Sequence, residues 1–245
     1  AATNNLVSST VGYKFYDLLI PAPGLGGDVT ILQHNEQNVA LVTSNGEVWT
    51  IGDNSSLQRG TGVLTNLLKD ERTFAQVTIP PCIWIESNMD SGTTVTYLAI
   101  TATGLVYTWG DNGQGSIGDG TTVDKANPTL IALPGGALVD ILTTGRPNVA
   151  CGGSVNCSVA IVSTTGQLIV WGYNNQGQLG VGNTTNQLSP VIVPGITCRT
   201  GGAYKSVYIA GRNLLNNMRI IRPDGSTWAA GYNGQGALGD GTTTQ

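Results

Sequence analysis

Short runs of alternating apolar and polar residues recur along the chain, grouped in pairs around a glycine. Asn45-Gly46, Thr103-Gly104, Thr165-Gly166 and Asp224-Gly225 each lie between two such runs. After the turn, Trp49 and Ile51 share one face, as do Tyr107 and Trp109, Ile169 and Trp171, and Trp228 and Ala230. Period two with aromatics on one side predicts a half-buried strand. Before the turn stand Val39-Ala40-Leu41-Val42, Tyr97-Leu98-Ala99-Ile100 and Val159-Ala160-Ile161-Val162. The pairs therefore predict β-hairpins with two-residue type I′ turns, which need positive φ at both turn positions. In the second copy the alanine lies one residue nearer the turn, so a bulge or slip is expected there.

Each hairpin leads into the same loop. Gly110-Asp111-Asn112-Gly113-Gln114-Gly115-Ser116-Ile117-Gly118 recurs as Gly172-Tyr173-Asn174-Asn175-Gln176-Gly177-Gln178-Leu179-Gly180 and as Gly231-Tyr232-Asn233-Gly234-Gln235-Gly236-Ala237-Leu238-Gly239. A degraded copy starts at Gly52-Asp53-Asn54, and the four leading glycines are 58, 62 and 59 residues apart. Asn side chains bond local backbone, so Asn54, Asn112, Asn174 and Asn233 are expected to tie the loop down. A proline-marked strand follows at Val77–Pro80, Leu130–Pro134 and Val191–Pro194, and the matching piece Leu18–Pro21 stands at the N-terminus. The expected fold is all-β: a single domain over residues 1–245, a β-propeller-like array of four repeats of about 60 residues. Leu18–Pro21 would complete the last repeat, and Trp49, Trp109, Trp171 and Trp228 would occupy equivalent buried places.

The third copy, Trp171-Gly172-Tyr173-Asn174-Asn175-Gln176-Gly177-Gln178-Leu179-Gly180-Val181-Gly182, resembles the repeat family named after the regulator of chromosome condensation. The resemblance runs through nearly the whole chain and implies four-stranded blades around an axis. The family's propellers usually have seven shorter blades. Many members carry His before the second strand, where this chain has Asn38, Thr96 and Ser158. The founding member exchanges nucleotide on a small GTPase and binds chromatin. With those histidines replaced and the charge unsuited to DNA, the resemblance implies the scaffold alone.

Composition narrows the functional classes. Charged residues are 11% of the chain, net charge is −4 and glycine numbers 35. The 11 Lys and Arg are dispersed, without the basic footprint that phosphate neutralisation requires, so nucleic acid is not an expected partner. No apolar run is long enough to insert in a membrane as a helix. The opening Ala1-Ala2-Thr3-Asn4-Asn5 has neither a secretion signal nor an initiator Met, so processing or a longer polypeptide is expected. Cys82, Cys151, Cys157 and Cys198 read as buried thiols, with a local Cys151–Cys157 bridge as the alternative. His34, the single histidine, sits at an ordinary strand end and carries no triad. The glycine loops lack a following Gly-Lys-Ser/Thr, and Asp111, Asp119 and Asp240 lack the alternation that calcium needs. No cofactor, metal or catalytic residue is expected, and the chain reads as a non-enzyme.

The uncharged Gly/Thr/Asn-rich surface and the display scaffold lead to a binding or structural module on a virion, such as a phage tail or capsid appendage, or at the cell surface. Its partner would be a protein or glycan, neighbouring virion subunits included, and homo-oligomers are open. The alternatives are an intracellular regulatory propeller acting on a small GTPase and a secreted enzyme inhibitor. Repeated residues build the scaffold, so a partner is expected to touch unrepeated ones. Tyr173 and Tyr232 vary against Asp53 and Asp111 and would be partly exposed. The insertions contribute Lys69 and Arg72 in the first copy and Arg212, Asn213, Leu214 and Leu215 in the fourth.

Overall fold

The computed structural model describes residues 25, 27–35, 37–62, 73–88, 94–140, 149–152, 157–198, 207–210, 217–221 and 224–244. They form four antiparallel sheets in chain order. The first contains β1 (Val29–His34), β2 (Asn38–Thr43), β3 (Val48–Gly52) and β4 (Ala75–Val77). The second contains β5 (Cys82–Ser87), β6 (Thr96–Thr101), β7 (Val106–Gly110) and β8 (Lys125–Ile131). The third contains β9 (Val149–Gly152), β10 (Ser158–Val162), β11 (Gln167–Gly172) and β12 (Gln187–Thr197). The fourth contains β13 (Val207–Ala210), β14 (Asn217–Ile221) and β15 (Thr227–Gly231), three strands among the described residues. The all-β, propeller-like reading holds. The Leu18–Pro21 strand expected to complete the last sheet lies outside the described residues.

The hairpin turns differ from the expected type I′. Positive φ occurs at Gly46, Gly104, Gly166 and Gly225, and Asn45, Thr103, Thr165 and Asp224 stay out of the left-handed region. In the first sheet the Gly46 N–H donates to Thr43 C=O at 2.9 Å, closing a four-residue turn. The Thr43 hydroxyl then accepts the Glu47 N–H at 3.2 Å. Thr101 with Leu105 and Ser163 with Gln167 repeat that second bond at 3.1 and 3.0 Å. A hydroxyl three residues before the glycine thus anchors the turn, a role the two-residue reading overlooked. Between β6 and β7 the irregularity expected around Ala99 is absent, and Ala99 opposes Tyr107 in an unbroken register; β5 shifts register against β6 between Cys82 and Trp84, as β1 does against β2 between Val29 and Ile31.

Alternation gives every sheet a front face towards the next sheet and a rear face towards the previous one. On the third sheet Val159, Ile161, Ile169 and Trp171 point back into one apolar cluster, where they meet Leu98, Ile100 and Val106 of the second. Ala160, Val162, Leu168 and Val170 point forward to Met218 and Ile220 of the fourth. Ala40, Val42 and Val48 of the first likewise meet Tyr97, Ala99 and Trp109 of the second. The core is therefore three inter-sheet layers in series, as in solenoid-like repeat proteins. The innermost strands pack in the same order, β1 on β5, β5 on β9 and β9 on β13, with no comparable packing of β13 on β1 among the described residues.

Polar clasps reinforce the layers. The Trp109 indole N–H donates to Gln58 C=O and that of Trp171 to Ser116 C=O, both at 2.9 Å. The N–H groups of Gly62 and Gly120 reach the next sheet's outer strand at Ala126 C=O and Leu188 C=O, both 2.8 Å away. Trp49 and Trp228 are not equivalent to Trp109 and Trp171, contrary to expectation. They precede the leading glycine by three residues instead of one. Ala230 fills the indole position in the fourth sheet, beside Gly180, and Trp228 is 48% exposed.

Candidate partner-docking surface

The two rims of the array carry its loops. On one rim the repeated Asn side chains are buried and doubly used. Asn112, Asn174 and Asn233 each accept the N–H five residues on, from Ile117, Leu179 and Leu238, at 2.9 Å. Their amide nitrogens donate across the loop, Asn174 to Asn183 C=O and Thr185 C=O at 2.9 Å each. Asn54 accepts from Arg59 N–H at 3.0 Å in the first copy. The loops are thereby rigid, and the amides are committed to structure.

In the second and third copies the family's His position is filled by hydroxyls that serve the same loop. Thr96 donates to Asp111 C=O and Ser158 to Tyr173 C=O, both at 2.8 Å. Both residues are buried, so neither offers a group to a ligand.

Of the expected contact residues, Tyr173 is 5% exposed, a correction to the partial exposure anticipated for it. Burial raises the pKa of its phenol. Tyr232 is half-buried, and its ring lies over Gly234, where a Cβ would sit 2.3 Å from the hydroxyl oxygen. Lys69, Arg72, Arg212, Asn213, Leu214 and Leu215 lie outside the described residues. The tyrosines occupy corresponding positions in successive repeats, and no described contact joins them.

Sequence reasoning missed other features of these rims. Lys125 Nζ pairs with Asp119 at 2.6 Å, and Thr121 donates its hydroxyl to the same carboxylate at 2.7 Å. Burial works to raise the Asp119 pKa, but the bonds from Lys125 and Thr121 outweigh it and the carboxyl titrates below its usual range. Val123, at 64% exposed, projects from the same loop. On the opposite rim, a depression of about 330 Å³ lies between Pro134, Ala137, Leu138, Thr165 and Ile192. Cys82, Cys157 and Cys198 are buried, in line with the reading as buried thiols, and desolvation pushes Cys82 up to about 12. No group of His, Cys, Asp and Glu suited to a metal occurs among the described residues.

Comparison with known proteins fits this architecture. Residues 103–159 and 165–211 match the regulator of chromosome condensation (RCC1) repeat. The human E3 ubiquitin-protein ligase HERC2 is 30% identical over 145 residues, which are 59% of this chain and 3% of the ligase. The dog X-linked retinitis pigmentosa GTPase regulator is 28% identical over 161 residues, 66% of this chain and 15% of the regulator. The structure of Prp20p from Saccharomyces cerevisiae, described with its binding to Gsp1p and histones, superposes with a TM-score of 0.65 at 17% identity. The match covers 90% of this chain and 49% of that one. The chain thus spans about half of the solved protein and a small part of each curated relative. These relatives overturn the virion and cell-surface readings, both as function and as location. Ubiquitin ligation, GTPase regulation and histone binding belong to the cell interior, and the partners named are proteins, with no glycan or virion subunit among them. Rigid Asn-tied loops, sheets clasped front to rear and these matches together show a chain built of repeats resembling those of the regulator of chromosome condensation family.

Proposed function

We propose that this chain is an intracellular, non-enzymatic regulatory propeller module, working as one unit, whose partner is a protein of the small-GTPase class. The observation that carries this reading is the match of its repeats to RCC1, supported by similarity to a GTPase regulator and to Prp20p, whose structure is described with Gsp1p. The geometry is compatible with it. The loops are fixed by buried Asn bonds, so a rim presents a preformed surface and loses little entropy on docking. Tyr232 and Val123 supply the apolar contacts on that rim, and the Asp119–Lys125 pair supplies polar contact. Net charge of −4 disfavours nucleic acid as the direct partner.

The test is calorimetric titration of the intact chain against a panel of small GTPases, each nucleotide-free, GDP-bound and bound to a non-hydrolysable GTP analogue. Binding of one member, weakened by Val123→Asp with the melting temperature unchanged, is the expected outcome. A correctly folded chain that binds none of the panel would end this reading.

A further inference from the structure

Asn followed by Gly occurs at Asn45-Gly46, Asn112-Gly113 and Asn233-Gly234. In each pair a backbone nitrogen stands one residue after a side-chain amide, with no Cβ to hinder its approach. The fold treats the three differently. Asn112 and Asn233 are fully buried. Their Oδ1 atoms accept the N–H groups of Ile117 and Leu238 at 2.9 Å, and their amide nitrogens donate to Val123 C=O at 3.1 Å and Thr244 C=O at 2.7 Å. Asn45 is exposed, and its amide makes no hydrogen bond among the described residues. The nitrogen beside it is restrained by the bond from Gly46 N–H to Thr43 C=O at 2.9 Å. One bond at an exposed turn lies at the low end of local opening energies, whereas freeing Asn112 or Asn233 dismantles a buried loop.

The fold also keeps glycine after Asn45. Gly46 has φ +81°, and a Cβ on it would lie 2.8 Å from Pro81 Cβ and 3.0 Å from Cys82 N. The other three turns use the same glycine and place Thr103, Thr165 or Asp224 before it. Threonine has no amide to lose. Oδ1 of Asp224 is held by the Ser226 N–H at 2.8 Å and by the Ser226 hydroxyl at 2.6 Å. Of the four turns, only the first joins a required glycine to a free amide.

We propose that Asn45 is a self-modification site, at which the chain consumes water and releases ammonia without an enzyme. Gly46 N bonds to Asn45 Cγ, the Cγ–Nδ2 bond breaks, and the Gly46 proton leaves with the amine as ammonia. Water then opens the resulting succinimide at either of its carbonyls. Opening at Cγ gives aspartate. Opening at the main-chain carbonyl of residue 45 gives isoaspartate, which adds a methylene to the backbone. Either product adds a negative charge. The site stands at a junction, because Gly46 C=O accepts the Cys82 N–H at 2.9 Å and so links the first sheet to β5. An extra methylene immediately before Gly46 displaces that carbonyl and loosens the junction. The reaction is independent of the proposed GTPase partner and is read without one.

The experiment is incubation of the intact chain at mildly alkaline pH, sampled over weeks and read by peptide mass mapping that separates aspartate from isoaspartate. Conversion at Asn45 should be at least about tenfold faster than at Asn112 and Asn233, the protection that a modest opening energy confers. In denaturant the three should convert at similar rates, because their Asn-Gly chemistry is the same. An Asn45 that stays intact in the folded chain, or buried pairs that keep pace with it, would overturn the site. The isolated isoaspartate form should melt below Asn45→Asp, which carries the charge on an ordinary backbone. Equal melting temperatures would overturn the loosening of the junction.

Discussion

Trp171 donates its indole N–H to the carbonyl of Ser116, 2.9 Å away and 55 residues earlier in the chain. The bond joins the third sheet to the loop of the second inside an apolar layer, where an unpaired carbonyl is costly. Trp171→Phe keeps most of the buried ring and removes the donor. We expect a loss of about 1–3 kcal/mol from the orphaned Ser116 carbonyl and the lost volume together. Urea denaturation measures it, and Trp228→Phe at its exposed site should stay within roughly 0.5 kcal/mol of wild type.

Gly118 and Gly182 separate two reasons for glycine. Both have positive φ, +85° and +81°, so alanine at either meets the same backbone strain. A Cβ at Gly118 would lie 2.8 Å from Trp171 Nε1, whereas none of the described atoms lies within 4 Å of one at Gly182. Gly118→Ala should be the worse by roughly 1–3 kcal/mol, the usual cost of overpacking. Equal losses in thermal denaturation would mean that the clasp is not tight.

Asn174→Asp should destabilise more than Asn175→Ala. The Asn174 amide nitrogen donates to two carbonyls, and a carboxylate there would face both with no proton to give. We expect at least about 2 kcal/mol, against about 0.5 or less for the exposed neighbour.

The Asp119–Lys125 pair carries a pH signature. Because the folded carboxyl titrates below its ordinary value, the stabilisation is present above the unfolded pKa and is lost as pH falls through the folded one. Asp119→Asn should therefore be less stable than wild type at neutral pH and converge with it as the pH falls through the lowered pKa of the folded carboxyl. Acid titrations of the two proteins followed by circular dichroism show whether the curves meet.

Cys82 should be inert to a thiol reagent at pH 8 in the folded chain. Burial pushes its pKa up to about 12, so almost no thiolate forms, and the side chain is covered as well. Cys157 and Cys198 are covered likewise. Labelling followed by peptide mass spectrometry should find these three sites modified only after denaturant is added.

Much of the scaffold was legible because repetition makes the same local rules speak several times. Period two after each turn glycine located β3, β7, β11 and β15, and the recurring Asn announced a tied loop. The turn type was misread because Asn45-Gly46 satisfies the two-residue pattern, whereas the structure uses Thr43 three residues before the glycine as the anchor. Trp228 was misplaced because the tryptophans were matched by residue type; counted back from Gly231, it falls in register with Ile169 and not with Trp171. The site was harder. Whether Tyr173 is covered depends on sheet packing, which no local pattern encodes, and low charge is a property of surfaces in many compartments.

The reach of Gly62 to Ala126 and of Gly120 to Leu188 orders events in time. Those partners are 64 and 68 residues apart in the chain. At synthesis rates of about 5–20 residues per second, each loop waits roughly 3–14 s for the strand it must grip. During translation every newly made sheet is unfinished until its successor leaves the ribosome, so a pause within one repeat would leave the repeat before it, and not the one being made, open to proteases.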